Sequence, residues 1–150
     1  MFIQMAWGAA GKTSLASVSK LMNKSIRAMF FKSRRDDIKP LYDDNRFLSL
    51  SNIIKLNWGC MIKKSLLGHF SDEFVLNSFN KQTHQFMTRT KNKNLILPSF
   101  SLKYSRNSIF FSGINFWNQN KISDDFSLNA FKDNLKQQLL NDQFENQSLY

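Results

Sequence analysis

The sequence predicts an α+β domain that is mostly α, with three or four helices packed with one small β-hairpin. Three observations lead there. Apolar residues recur at helical spacing over residues 13–31 and again over 49–67, without a proline in either stretch. Aromatic and aliphatic residues alternate at Phe100, Leu102, Tyr104 and then at Ile109 and Phe111, on either side of the polar Ser105-Arg106-Asn107. Finally, 150 residues with 42% apolar content and 15 Phe suffice for one core of moderate size. The expected organisation is a single domain over 1–150: a helical part at about 12–80, a basic loop, hairpin and closing helix at about 81–141, and a frayed tail at 142–150.

In the first helical stretch Leu15, Val18, Met22, Ile26 and Met29 fall within one arc at 3.6 residues per turn. Lys20, Lys24 and Arg27 fall on the opposite side, so one face packs and the other is cationic. Asp36 to Phe47, which contains Pro40, reads as a loop. Ser49 or Ser51 caps the next helix, where Leu50, Ile54, Trp58, Met61 and Ser65 share a face and Gly68 supplies the stop. Gly59 weakens that helix by about 1 kcal/mol relative to Ala. Lys55 and Lys63 lie roughly opposite the packed face and are expected to display charge. A short helical segment follows from Asp72 to Phe79, with acids in its first turn.

Residues 77–94 are polar and basic, which is the composition of a loop. Beyond the expected hairpin, closed by Gly113, Trp117 anchors the next turn against the core. Ser127 caps the last helix, which carries Leu128, Phe131, Leu135 and Leu139 on one side and is expected to dock on the hairpin.

The net charge of +10 is unevenly placed. Met1 to Arg35 holds seven Lys or Arg and no acid, and Phe74 to Ser123 holds another seven and no acid. Two basic blocks interleaved with aromatics suit a polyanion, so nucleic acid held through its backbone is the expected partner. The candidate contacts are Lys20, Lys24, Arg27, Lys32, Arg34 and Arg35 in the first block and Arg89, Lys91 and Lys93 in the second.

Other chemistries find little purchase. A single cysteine, Cys60, excludes an internal disulfide and reads as a small core residue. His69 has no metal-type neighbour at a useful spacing, and no metal or cofactor is expected. The start, Met1-Phe2-Ile3-Gln4-Met5-Ala6-Trp7, has no basic residue ahead of it and breaks at Gly8. Neither a signal peptide nor a membrane span is therefore expected, and the reading is an intracellular, cytoplasmic or nuclear protein.

Two motifs mimic enzymes. Ala6-Trp7-Gly8-Ala9-Ala10-Gly11-Lys12-Thr13 fits a relaxed phosphate-binding loop, with Ala6 where the stricter pattern wants Gly. Its Mg²⁺-holding partner, an apolar strand ending in Asp, has no counterpart in the sequence. Asp43-Asp44 imitates a polymerase aspartate pair, but Leu41 stands where that motif needs an aromatic, and Pro40 disrupts the strand. Two-metal chemistry also needs a further carboxylate upstream, which is missing. No catalytic residue is assigned.

The order of motifs in the second half is distinctive. His84, Thr88 and Arg89 are followed by Leu95-Ile96-Leu97-Pro98, by Ser108, Phe111 and Gly113, by Trp117-Asn118, and by Ser127, Phe131 and Lys132. This succession resembles the carboxy-terminal tail of jockey-like non-LTR retrotransposon reverse transcriptases. Those tails read His-x-x-x-Thr-Arg, an apolar segment ending in Pro, Ser-x-x-Phe-x-Gly, Trp-Asn, and a closing Ser-x-x-x-Phe-Lys helix. Upstream, Trp7-Gly8, Lys12-Thr13, Asn23-Lys24-Ser25-Ile26-Arg27 and Ile38-Lys39-Pro40-Leu41 also match. The resemblance runs from Trp7 to Leu140 and departs at Gln119-Asn120-Lys121, where the family has Leu-Pro.

The resemblance implies a non-catalytic, post-palm thumb-and-tail region of an RNA-directed DNA polymerase, whose remaining parts would be the partner if the chain is a fragment. Such a region contributes template and primer binding. The alternatives are a phosphate-loop nucleotide-binding protein built on Lys12 and Thr13, or a structural or interaction remnant that binds no nucleic acid.

Overall fold

A computed structural model of the chain describes residues 12–70, 79, 94–97, 109–120 and 127–145. Among them are five helices: α1 (Lys12–Met29), α2 (Lys39–Asp44), α3 (Leu50–Leu66), α4 (Ile109–Gln119) and α5 (Leu128–Glu145). The mostly helical expectation holds. Among the described residues no helix is long and apolar enough to cross a membrane.

The hairpin does not hold as predicted. Ile109 and Phe111, read as alternating strand positions, lie in α4, and Gly113 sits inside that helix instead of ending a strand. Phe110, Gly113, Ile114 and Trp117 stand at helical spacing, and the last three are buried. Two alternating residues cannot distinguish a strand from a helix; those four positions could have. The other expected strand, at Phe100 to Tyr104, lies outside the described residues, as do the helix expected from Asp72 (apart from Phe79), the basic loop, and residues 6–11 of the phosphate-loop look-alike.

Helix α3 is the centre of the molecule, packing against α5, α4 and α1. With neighbours on three sides it buries far more than one stripe. Asn52, Gly59, Cys60, Met61, Ile62, Lys63 and Ser65 are all buried, whereas Leu50, Ile54 and Trp58 of the predicted face are half-buried. Lys63, expected on the charged exterior, is therefore only 2% exposed, and its Nζ lies 5.8 Å from the centre of the Phe131 ring. The aliphatic stem packs while the ammonium meets the negative face of an aromatic ring.

Gly59 explains how the helices approach so closely. A Cβ there would overlap Leu135 Cδ2 and lie 3.7 Å from the Phe131 ring edge. The propensity cost of a mid-helix glycine is thus offset by the contact between α3 and α5. The core joins Met61, Ile62, Phe79, Leu95, Ile114, Trp117, Phe131, Leu135, Leu139 and Leu140.

The tail corrects a second expectation. Helix α5 continues to Glu145, and Gln143 is buried instead of fraying. Its Oε1 accepts from Ser49 N–H at 2.9 Å and Asn52 Nδ2 at 3.1 Å, and its Nε2 donates to the Phe47 carbonyl at 3.2 Å. Asn52 Nδ2 also donates to the Leu139 carbonyl. Ser49, the predicted cap, accepts from Asn52 N–H through its side chain. Two buried amides thereby fasten the start of α3 to the end of α5. At the other end of α5, Ser127 Oγ accepts from Ala130 N–H, and the helix docks on α3, where the sequence suggested a hairpin.

The stretch predicted as a loop at 36–47 contains α2, whose first turn accommodates Pro40 because the N–H that proline lacks has no helical partner there. Asp37 Oδ1 accepts from Lys39 N–H at its entry. Asp43 and Asp44 close this helix, a setting unlike a palm hairpin.

Helices α1, α2 and α3 end in the same way. Lys32 N–H donates to the Arg27 carbonyl and Phe31 N–H to that of Ala28; Phe47 and Arg46 repeat the pattern on Tyr42 and Asp43, and His69 and Gly68 on Lys64 and Ser65. These are Schellman motifs, which require positive φ at one residue: 53° at Phe31, 50° at Arg46 and 71° at Gly68. Only the third carries the glycine that makes it legible in sequence.

Candidate nucleic-acid interface

The cationic face of α1 forms one wall of a concavity of about 1030 Å³, to which Lys20, Lys24, Arg27, Lys32 and Arg34 all contribute. Ser17, Leu21, Asn23 and Ala28 also line it. Five of the nine cations singled out in the sequence are thus brought to one place, and among the described residues no acid lines it.

The helix supplies three of these cations by periodicity, and the chain reversal at its end supplies the other two. The Schellman turn at Phe31 folds the backbone back, and a tight turn at 33–36 holds it there. In that turn Asp36 N–H donates to the Ser33 carbonyl, and Asp36 Oδ2 accepts from Ser33 N–H at 2.7 Å. Arg27 Nε donates to the Asp36 carbonyl at 3.2 Å, tying the turn to the helix. The nearest acid in sequence is therefore occupied in capping a turn; among the described residues none of the five cations is paired with a carboxylate.

Side-chain contacts with α2 and the residues that follow it tie α1 in place. Asn23, which lines the concavity, accepts at Oδ1 from the Tyr42 hydroxyl at 2.7 Å, and burial holds the Tyr42 phenol above its ordinary pKa. Phe30 and Tyr42 each pack on Phe47, with centroids 6.1 and 6.4 Å apart. Ile26 is buried, but Met29 is 67% exposed, so the last turn presents Phe30, not the predicted Met29, to the neighbouring aromatics.

Among the remaining candidates, Arg35 is exposed but does not line the concavity. Arg89, Lys91 and Lys93 lie outside the described residues. Sequence reasoning overlooked Ser17, Leu21 and Asn23, although the same angular arithmetic that groups Lys20, Lys24 and Arg27 carries Ser17 and Asn23 to their side of the helix.

Trp117 and Asn118 belong to the core and its border. Trp117 is 2% exposed. Asn118 Oδ1 accepts from Leu95 N–H at 2.9 Å, and its Nδ2 donates to the Leu95 carbonyl at 3.0 Å. One side-chain amide thus satisfies both backbone groups of a buried residue in the way a neighbouring strand would. Among the described residues no group of three or more His, Cys, Asp or Glu side chains is placed to hold a metal ion.

Comparison with known proteins finds no family, no curated protein and no solved structure that matches this chain.

Proposed function

We propose that this chain is a non-catalytic nucleic-acid-binding domain that grips a phosphate backbone in the concavity of α1, as an intracellular relative of the thumb-and-tail region of jockey-like reverse transcriptases. The observation that carries the reading is the convergence of Lys20, Lys24, Arg27, Lys32 and Arg34 on one concavity that, among the described residues, no acid lines. Small-molecule pockets are lined predominantly by apolar and aromatic side chains, whereas this wall is cationic, as a polyanion requires. Ser17 to Ala28 spans about 16 Å of helix, which equals the rise of roughly five nucleotides along one duplex strand. Leu95 and the Trp117-Asn118 pair, which belong to two of the segments that carry the resemblance, also meet in space through Asn118. Such a contact gives their recurrence a folding role separate from nucleic-acid contact.

The test is the salt dependence of binding. The full chain is titrated into labelled single-stranded and duplex probes over a range of salt, beside a Lys20→Ala/Lys24→Ala/Arg27→Ala variant. The variant's slope of log affinity against log salt is expected to be shallower by about 2 to 3 on duplex DNA, with roughly 0.9 per lost phosphate contact. A folded variant with unchanged affinity and slope would make this face an ordinary solvated one.

A further inference from the structure

We infer that Phe31 is a base-stacking platform at the edge of the cationic concavity, so that the ligand of this surface is single-stranded nucleic acid or an unpaired strand end. The inference rests on the phosphate-binding reading above and adds to it the class of nucleic acid.

Three observations converge on Phe31. Its side chain is 98% exposed, the largest value among the exposed large apolar residues of the described chain. Its backbone occupies the left-handed region at φ 53°, a conformation that glycine adopts without penalty and that disfavours an L-residue by about 1–2 kcal/mol. An apolar ring is thus held in water on a strained backbone, where glycine would satisfy the same Schellman turn.

Its placement supplies the third. Phe31 N–H donates to the carbonyl of Ala28, and Ala28 and the next residue, Lys32, both line the concavity. The backbone bonds that fix the turn therefore fix the Phe31 backbone next to residues that line the concavity. Leu21, 64% exposed, contributes apolar surface within the same concavity.

Single strands are gripped by this pairing of a cationic groove with an exposed aromatic, since every base offers a π face once it is unpaired. In a duplex the bases are paired and already stacked on one another, so the ring finds no unpaired base to meet.

The experiment compares the full-length wild type with Phe31→Gly and Phe31→Trp. The probes are labelled oligo-dT, a blunt duplex of mixed sequence and equal length, and that duplex with an unpaired 3′ extension. Phe31→Gly keeps the left-handed turn and relieves its strain, so folding is preserved and is checked by thermal melting. Its affinity for oligo-dT and the extended duplex is expected to fall roughly 5- to 150-fold, the range that about 1–3 kcal/mol per stacked base represents. Blunt-duplex affinity and the salt slope stay unchanged, and Phe31→Trp retains the single-strand preference.

Equal losses on all three probes, or none, would overturn the stacking role. If the triple Ala variant still loses affinity and slope, the phosphate-binding reading survives that failure. Absence of salt-dependent binding by the wild type to any probe would overturn both. A loss of self-association in Phe31→Gly with unchanged oligo-dT binding would assign the ring to contact between copies and overturn the proposal.

Discussion

The Trp117 indole lies over the Phe131 ring, with centroids 5.7 Å apart and planes 28° from parallel. The pair joins α4 to α5, and Phe131 in turn lies beneath the Lys63 ammonium and against Gly59 of α3. Three helices therefore converge on one phenylalanine. Trp117→Ala is expected to destabilise by about 3 to 5 kcal/mol, the range for deleting a large buried aromatic. A loss below about 1 kcal/mol in denaturant melts would be too small for a buried ring of that kind.

Gly59→Ala sets two effects against each other. Helix propensity favours alanine by about 1 kcal/mol, while overpacking costs typically 1–3 kcal/mol. Because the new methyl would meet the packed side chain of Leu135, a net destabilisation is expected. Shortening Leu135 to Ala in the same chain should recover part of the loss, visible as a coupling in a double-mutant cycle. A Gly59→Ala protein more stable than wild type would mean that the α3–α5 seam can open without penalty.

Gln143→Ala removes partners from Ser49 N–H, Asn52 Nδ2 and the Phe47 carbonyl together. Each buried polar group left unsatisfied costs about 1–3 kcal/mol, and Asn52 retains its bond to Leu139, so a loss of about 2 to 4 kcal/mol is expected. Deletion of residues 142–150 should do at least as much harm, since it also removes Phe144 from the core border. Wild-type melting of that truncated chain would return this segment to the status of a loose tail.

Alkaline pH should weaken the fold. Burial raises the Cys60 thiol above its ordinary value of 9.0, an effect that Lys132 and Lys64 oppose, and burial likewise raises Tyr42 above 10.0. As pH climbs past 9, the unfolded chain releases the thiol proton while the folded chain still holds it, so protons bound in the folded state exceed those in the unfolded state. The slope of stability against pH is then negative. Below about pH 8 these groups contribute no pH dependence, because both are protonated in either state. Urea midpoints measured from pH 7 to 10.5 should fall at the alkaline end, and Cys60→Ala should flatten the first part of that fall. Thiol labelling of the native protein at pH 8 should be slow and should accelerate on unfolding.

The sequence by itself determined what depends on neighbours along the chain. Helix α1 is written in the spacing of Leu15, Val18, Met22 and Ile26, the start of α3 in Ser49, its end in Gly68, and the start of α5 in Ser127. Each of these is a local hydrogen-bonding or periodicity effect that a few residues suffice to specify. The common side of Lys20, Lys24 and Arg27 follows from the same geometry.

What only the tertiary structure decided are the features that join distant segments. Ile109 and Phe111 fit a strand as well as a helix, and what separates the two is whether Gly113, Ile114 and Trp117 are buried on one side. Lys63 looks solvated until three helices surround α3 and Phe131 offers its ring face. Gln143 looks like a polar tail residue until its partners, more than ninety positions upstream, are brought to it. The concavity was equally illegible although its bonds are local: Lys32 and Arg34 join the α1 cations because Phe31 adopts a backbone conformation that local propensity assigns to glycine, and the stabilisation that offsets its strain is the hydrogen bonding of the turn itself.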